Sequence, residues 1–136
     1  MTLQQLNQHA ELRRQLAKAE RLRESLRAAA EPGAQAITGM PHAPGYQNKL
    51  GDLAAEIADL SNEIARLRAY IREREPEIAD FINSIWDGQT RTIFRLRFLR
   101  GMGWGDIARA IGGGNTASSV KSVYYRYTKK RHMKKS

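Results

Sequence analysis

Cysteine is absent from the 136 residues, so the fold can have neither disulfides nor cysteine-ligated zinc. That absence fits a reducing cytosol. Long apolar runs are also missing. None approaches the roughly 20 residues that a membrane-crossing helix requires, and the opening MTLQQLNQHAELRRQL has no signal-peptide core. Proline is scarce and concentrated: Pro32, Pro41 and Pro44 fall in one stretch, and only Pro76 lies outside it. Alternating apolar and polar residues with turn dipeptides, the mark of strands, do not occur. Acid is almost missing from the last third, where Asp106 is the one carboxylate in residues 89–136.

What is present is helix-forming. Ala, Leu, Glu and Arg dominate, with 41% hydrophobic and 27% charged residues, a composition that predicts an all-α protein. The net charge of +9 is unevenly spread. Residues 1–45 carry six basic and four acidic groups, residues 46–88 five and nine, and residues 89–136 twelve and one. A 48-residue segment of charge +11 attracts a polyanion.

Leu3, Leu6, Ala10, Leu12, Leu16, Ala19, Leu22 and Leu26 recur at steps of mostly three and four, which predicts a helix over 2–30 with Thr2 as N-cap. Glu31-Pro32-Gly33 stops it, and residues 31–48, EPGAQAITGMPHAPGYQN, read as a loop. From 49 to 75 the seam Leu50, Leu53, Ile57, Leu60, Ile64, Leu67 and Ile71 alternates in steps of three and four, a heptad pattern. It suits either an antiparallel hairpin with residues 2–30 or pairing between chains. Two helices alone bury little, which favours a homodimer or higher homo-oligomer. Pro76 is expected to begin a new helix, residues 77–87, with Ile78, Phe81, Ile82 and Ile85 apolar and Asp87-Gly88 at its end. Another helix follows at 89–100, where Arg91, Arg95 and Arg97 read in part as a solvated face, and Gly101-Met102-Gly103 breaks the chain. The expected division is therefore 1–75 for a helical hairpin or coiled coil and 76–136 for a separate domain.

In that second domain, Trp104, Ile107, Ala108 and Ile111 share one face of a short helix. Gly112-Gly113-Gly114 supplies a turn, and Asn115 and Thr116 offer an N-cap to a second helix over 117–130. Two helices joined this way make a helix-turn-helix, whose second helix enters the DNA major groove. By spacing Val120, Val123, Tyr124 and Tyr127 face inward, while Trp104 anchors the helix pair. The candidate DNA-binding residues are Asn115, Thr116, Ser118, Ser119, Lys121, Ser122, Tyr125, Arg126, Lys129, Lys130 and Arg131. Their hydroxyls and cations suit base edges and phosphates, and Lys134 and Lys135 extend the basic run. His9, His42 and His132 are scattered, and the carboxylates of 52–80 follow helix-surface spacing. No convergent catalytic or metal-ligating set emerges. The reading is a non-enzymatic DNA-binding protein with no cofactor.

The stretch QTRTIFRLRFLRGMGWGDIARAIG, residues 89–112, resembles region four of the sigma-70 family, with a turn, GGGNTASS, about two residues longer than is usual there. The order of leucine-rich helix, loop containing GMPHAPG, heptad helix and sigma-like helix-turn-helix resembles the phage-encoded ArpU/RinA-type transcriptional regulators; RLRFLRGMGWGDIA and IGGGNTASSV carry the likeness. That resemblance implies a phage or prophage activator of late genes, working on double-stranded DNA in the bacterial host cytoplasm, with RNA polymerase as a further candidate partner. The alternative is the DNA-recognition subunit of a phage packaging machine, similar to a small terminase.

Overall fold

The computed structural model describes residues 1–31 and 46–135, with backbone only at 46–49. All elements among the described residues are helical. The body of the loop expected at 31–48 lies outside the described residues.

The first helix, α1, spans Leu3–Ala30. Its start is a reciprocal cap, in which the Gln5 amide donates to Thr2 Oγ1 (3.1 Å) and the Thr2 amide to Gln5 Oε1 (2.8 Å). The second helix, α2, spans Tyr46–Asn83, taking in the last residues of the expected loop. It runs through Pro76 without ending, contrary to the sequence expectation. An interior proline removes one hydrogen bond and costs about 3 kcal/mol. Here Pro76 and Arg72, whose carbonyl loses its donor, both face solvent, while Ile71, Ile78 and Ile82 are buried on the opposite side. Solvation of the freed carbonyl and burial of that stripe offset the loss.

Asp87-Gly88 does not terminate this helix, as the sequence suggested, but begins the next. The third helix, α3, spans Gly88–Phe94, and Asp87 Oδ2 accepts from the Thr90 amide (2.9 Å) and hydroxyl (2.7 Å). These bonds hold the Asp87 carboxyl below its ordinary pKa. A π-helical turn, Arg95–Leu99, continues the element, with the Arg100 amide donating to the Arg95 carbonyl (3.1 Å). Gly101 follows at φ +71°, a backbone conformation that strains other residues, and a Cβ there would also lie a tight 3.2 Å from Arg13 Cβ. The fourth helix, α4, spans Trp104–Ile111, and the fifth, α5, spans Ala117–Lys130.

The chain forms two compact units, Met1–Arg14 with Tyr70–Ser136, and Gln15–Ala69. This departs from the expected division at 75/76 because α2 is continuous there and the start of α1 contributes to the larger core. In the first unit Leu6 and Ala10 pack with Ile78, Ile82, Ile85, Phe94, Phe98 and Tyr124. Phe94 is the hub, with ring centroids 5.2–5.6 Å from Tyr127, Tyr124 and Phe98. The Leu3 amide donates to the Lys134 carbonyl (2.7 Å), tying the N-terminal segment to the C-terminal one. A second cluster, Ile93, Ile107, Ala108 and Val120, joins α3, α4 and α5, with the small Ala108 permitting close approach.

In the second unit Arg68 pairs with Glu20 (3.1 Å) and Arg23 donates to Ser61 (3.3 Å). The partners descend along α2 as they ascend α1, so the two segments are antiparallel. Ala19, Ile64 and Leu67 are buried, while Leu50, Leu53, Ile57 and Leu60 are only partly so. Leu22, expected on the apolar face, is 49% exposed. Arg23 holds the adjoining inward position instead, lying partly buried against Ser61.

Candidate nucleic-acid interface

The turn between α4 and α5 is built by three glycines at φ +72°, +64° and +77°. A run of left-handed residues is affordable only for glycine. Asn115 closes the turn, donating through Nδ2 to the Gly112 carbonyl (2.8 Å). Thr116 then caps α5: its Oγ1 accepts from the Ser119 amide (3.1 Å), and Ser119 Oγ accepts from the Thr116 amide (2.9 Å). Ser119 also meets Asn115 Oδ1 (3.2 Å). Of the eleven residues singled out from sequence, Asn115, Thr116 and Ser119 are therefore engaged in shaping the turn and starting the helix.

The remaining eight project outward. Ser118, Lys121, Ser122, Tyr125, Arg126, Lys129, Lys130 and Arg131 are exposed, and Val120, Tyr124 and Thr128 form the buried side. Ser122 donates to the Ser118 carbonyl (2.9 Å), which leaves its oxygen lone pairs outward. Lys121 Nζ lies 5.9 Å from the Tyr125 ring, and Tyr125 is 56% exposed. Arg131 rests 5.8 Å from the Tyr127 ring. Asp106 is paired with Arg109 one turn along α4, so the one acid of this segment is already matched. The α5 helix thus presents cations and hydroxyls and carries no carboxylate of its own, while Asp87 lines a cavity with Arg126 and Lys130.

The arginines read from sequence as partly solvated have specific partners. Arg91 donates to the Ile85 carbonyl (3.0 Å) and Arg95 to Asn83 Oδ1 (3.0 Å). Arg97 donates to the Met102 carbonyl (3.1 Å), and its guanidinium lies 4.5 Å from the Trp104 ring. Trp104 is the anchor expected of it, 5.3 Å from the Tyr124 ring. The sequence reading missed the gathering of Asn7, Arg97 and Lys135 around Trp104 and Tyr124. Nothing in their spacing signals it, since they come from three distant stretches. It also missed Trp86, which is 95% exposed at the α2–α3 connection.

Two further groups are shifted by burial. His9 is fully buried with Nδ1 unpartnered, and its Nε2 accepts from Arg13 Nε (3.4 Å). Burial first, and the neighbouring Arg13 second, lower its pKa to about 4. Burial likewise raises the Tyr124 phenol. No helix among the described residues is long and apolar enough to cross a membrane. Compared with protein-family models, curated proteins and solved structures, the chain matches none.

Proposed function

We propose that this protein is a sequence-specific regulator that binds double-stranded DNA, with α4 and α5 acting as a helix-turn-helix and α5 lying in the major groove. The observation that carries this reading is the outer face of α5, where Ser118, Lys121, Ser122, Tyr125 and Arg126 stand exposed on a helix that itself carries no carboxylate. Groove-facing residues near the start of such a helix reach base edges, and flanking cations hold phosphates. Lys129, Lys130 and Arg131 supply sequence-independent affinity. The resemblance to ArpU/RinA-type regulators extends the reading to late-gene activation in a phage or prophage, with RNA polymerase as the second partner.

The helices of the second unit serve oligomerisation in this reading. Leu50, Leu53, Ile57 and Leu60 keep part of their apolar surface accessible along one seam, which suits a second copy of the chain. The deciding experiment is selection of genomic duplex fragments by the purified protein at near-physiological salt. Enrichment of a site upstream of a gene block is the expected result, with a repeated half-site for a dimer. Tight binding without enrichment would defeat the regulator reading in favour of packaging or nonspecific association.

A further inference from the structure

Behind the outer face of α5 lies a cavity of about 430 Å³. Its cations are Arg97, Lys121 and Lys135, and among the described residues no acid lines it. Trp104 and Tyr125 supply aromatic walls, Tyr124 contributes a buried ring, and Asn7 reaches in from the first turns of α1. The Leu3–Lys134 backbone bond places the C-terminal segment beside the start of α1, which explains how Lys135 comes to this site.

Arg97 is the unusual member. Its Nε is buried and makes no hydrogen bond, and among the described residues the guanidinium has no carboxylate partner. Burial lowers its pKa, and Arg14 adds to the effect. This partly buried guanidinium has the Met102 carbonyl and the Trp104 face but no counter-ion, and an anion would complete it. A nearby cluster makes the contrast clear: Arg13, Arg95 and Arg100 also line a cavity, but there Glu75 is present and pairs with Arg13 at 2.9 Å. Among the described residues, the Arg97 site has no such internal anion.

We propose that this cavity binds a phosphate group, held by Arg97 from within and by Lys121 and Lys135 at the rim, with Trp104 and Tyr125 flanking whatever carries it. Guanidinium is suited to phosphate by its planar fork of donors. The volume falls in the range of small-ligand sites, so it admits a phosphate with an attached ring. Two sources share this chemistry: a backbone phosphate of DNA seated against α5, which rests on the function proposed above, and the phosphate of a free nucleotide, which does not. Lys121 and Tyr125 belong to both the cavity and the exposed face of α5, so a ligand here bears directly on that face.

The test uses the full chain carrying Trp86→Phe, so that fluorescence reports Trp104 alone. Titration with inorganic phosphate and with adenosine monophosphate is compared with duplex binding across a salt series. For a free nucleotide, adenosine monophosphate changes Trp104 emission, and Arg97→Gln weakens its binding roughly tenfold or more. For a backbone phosphate, Arg97→Gln reduces the slope of log affinity against log salt by about one. Lys135→Gln, at an exposed residue outside the core, shows the same pattern at smaller size, so a folding defect in the Arg97 variant does not decide the matter. Anion binding without any duplex binding would sink the DNA reading and leave the phosphate site standing. If neither titration responds and both variants keep the parental salt slope, the proposal is wrong.

Discussion

The two compact units solve the burial problem differently. The first gathers α3, α4, α5, the N-terminal segment of α1 and the end of α2 around Phe94, so each element is covered from more than one direction. Among the described residues the second has two helical segments, and two helices can shield one stripe of each. Its seam accordingly runs from buried at Ile64 and Leu67 to half-buried at Leu50, Leu53, Ile57 and Leu60. Where many elements converge, sequence-distant residues become interdependent. Where two helices pair, each contact is nearly independent of the next.

The largest effect expected from this contrast concerns the boundary. If residues 76–136 were a self-sufficient domain, that fragment would fold alone. It lacks Leu6 and Ala10, which are buried against the same cluster as Phe98 and Tyr124, and it begins inside a continuous helix. We expect the fragment to show no near-ultraviolet dichroism and poorly dispersed amide resonances, against sharp signals from the intact chain. A well-dispersed spectrum from residues 76–136 would overturn the interdependence just described.

Next in size is a matched pair of truncations. Phe94→Ala removes a fully buried ring contacting four other aromatics and should cost about 3–5 kcal/mol. Leu53→Ala, at a half-buried seam position, should cost about 1 kcal/mol or less. Urea unfolding followed by circular dichroism measures both. Equal costs would mean that the second unit is as tightly covered as the first, as by a partner chain, and repeating Leu53→Ala at several protein concentrations separates that cause.

These contrasts also mark what was legible from sequence. The all-α class, the start of α1 at Thr2 and the turn at Gly112–Gly114 rest on local rules of propensity, capping and glycine conformation, and they could be read directly. Pro76 could not, because whether a proline interrupts a helix depends on which side of the helix is buried. Asp87 was assigned to the wrong helix for a related reason: Asp-Gly serves equally as a stop and as a cap, and only the Thr90 bonds decide between them. At the candidate interface, the exposed side of α5 followed from helical spacing. The engagement of Asn115 and Ser119 in the turn, and the arrival of Asn7 and Lys135 beside Arg97, depend on tertiary approach.

A third prediction uses pH to separate the units. His9 belongs to the first unit and lies among Arg13, Arg74 and Glu75, with its pKa lowered to about 4. The unfolded chain takes up a proton near pH 6.5 and the folded chain does not, so stability is present above pH 6.5 and is lost as pH falls, levelling near pH 4. Between pH 7 and pH 5 the loss should be about 2 kcal/mol. Thermal melts across this range should show it, and His9→Leu should be much flatter over the same interval. A parental chain as stable at pH 5 as at pH 7 would mean that His9 accepts its proton in the folded state.

The smallest effect separates two ion pairs. Arg13–Glu75 of the first unit is 2.9 Å long, with the arginine side chain 21% exposed; Arg68–Glu20 of the second is 3.1 Å long, with its arginine at 49%. Exposed pairs contribute between nothing and about 1 kcal/mol because water and salt screen them and ordering two long side chains opposes them. Glu75→Gln should therefore cost about 1 kcal/mol, since it also leaves Arg13 beside the buried His9 without its carboxylate, and Glu20→Gln less than about 0.5 kcal/mol. Added salt should erase the Glu20 effect first, because more of that pair lies in solvent. If both substitutions cost the same and respond equally to salt, the difference in cover between the two units does not extend to their charged surfaces, and the contrast is confined to the apolar core.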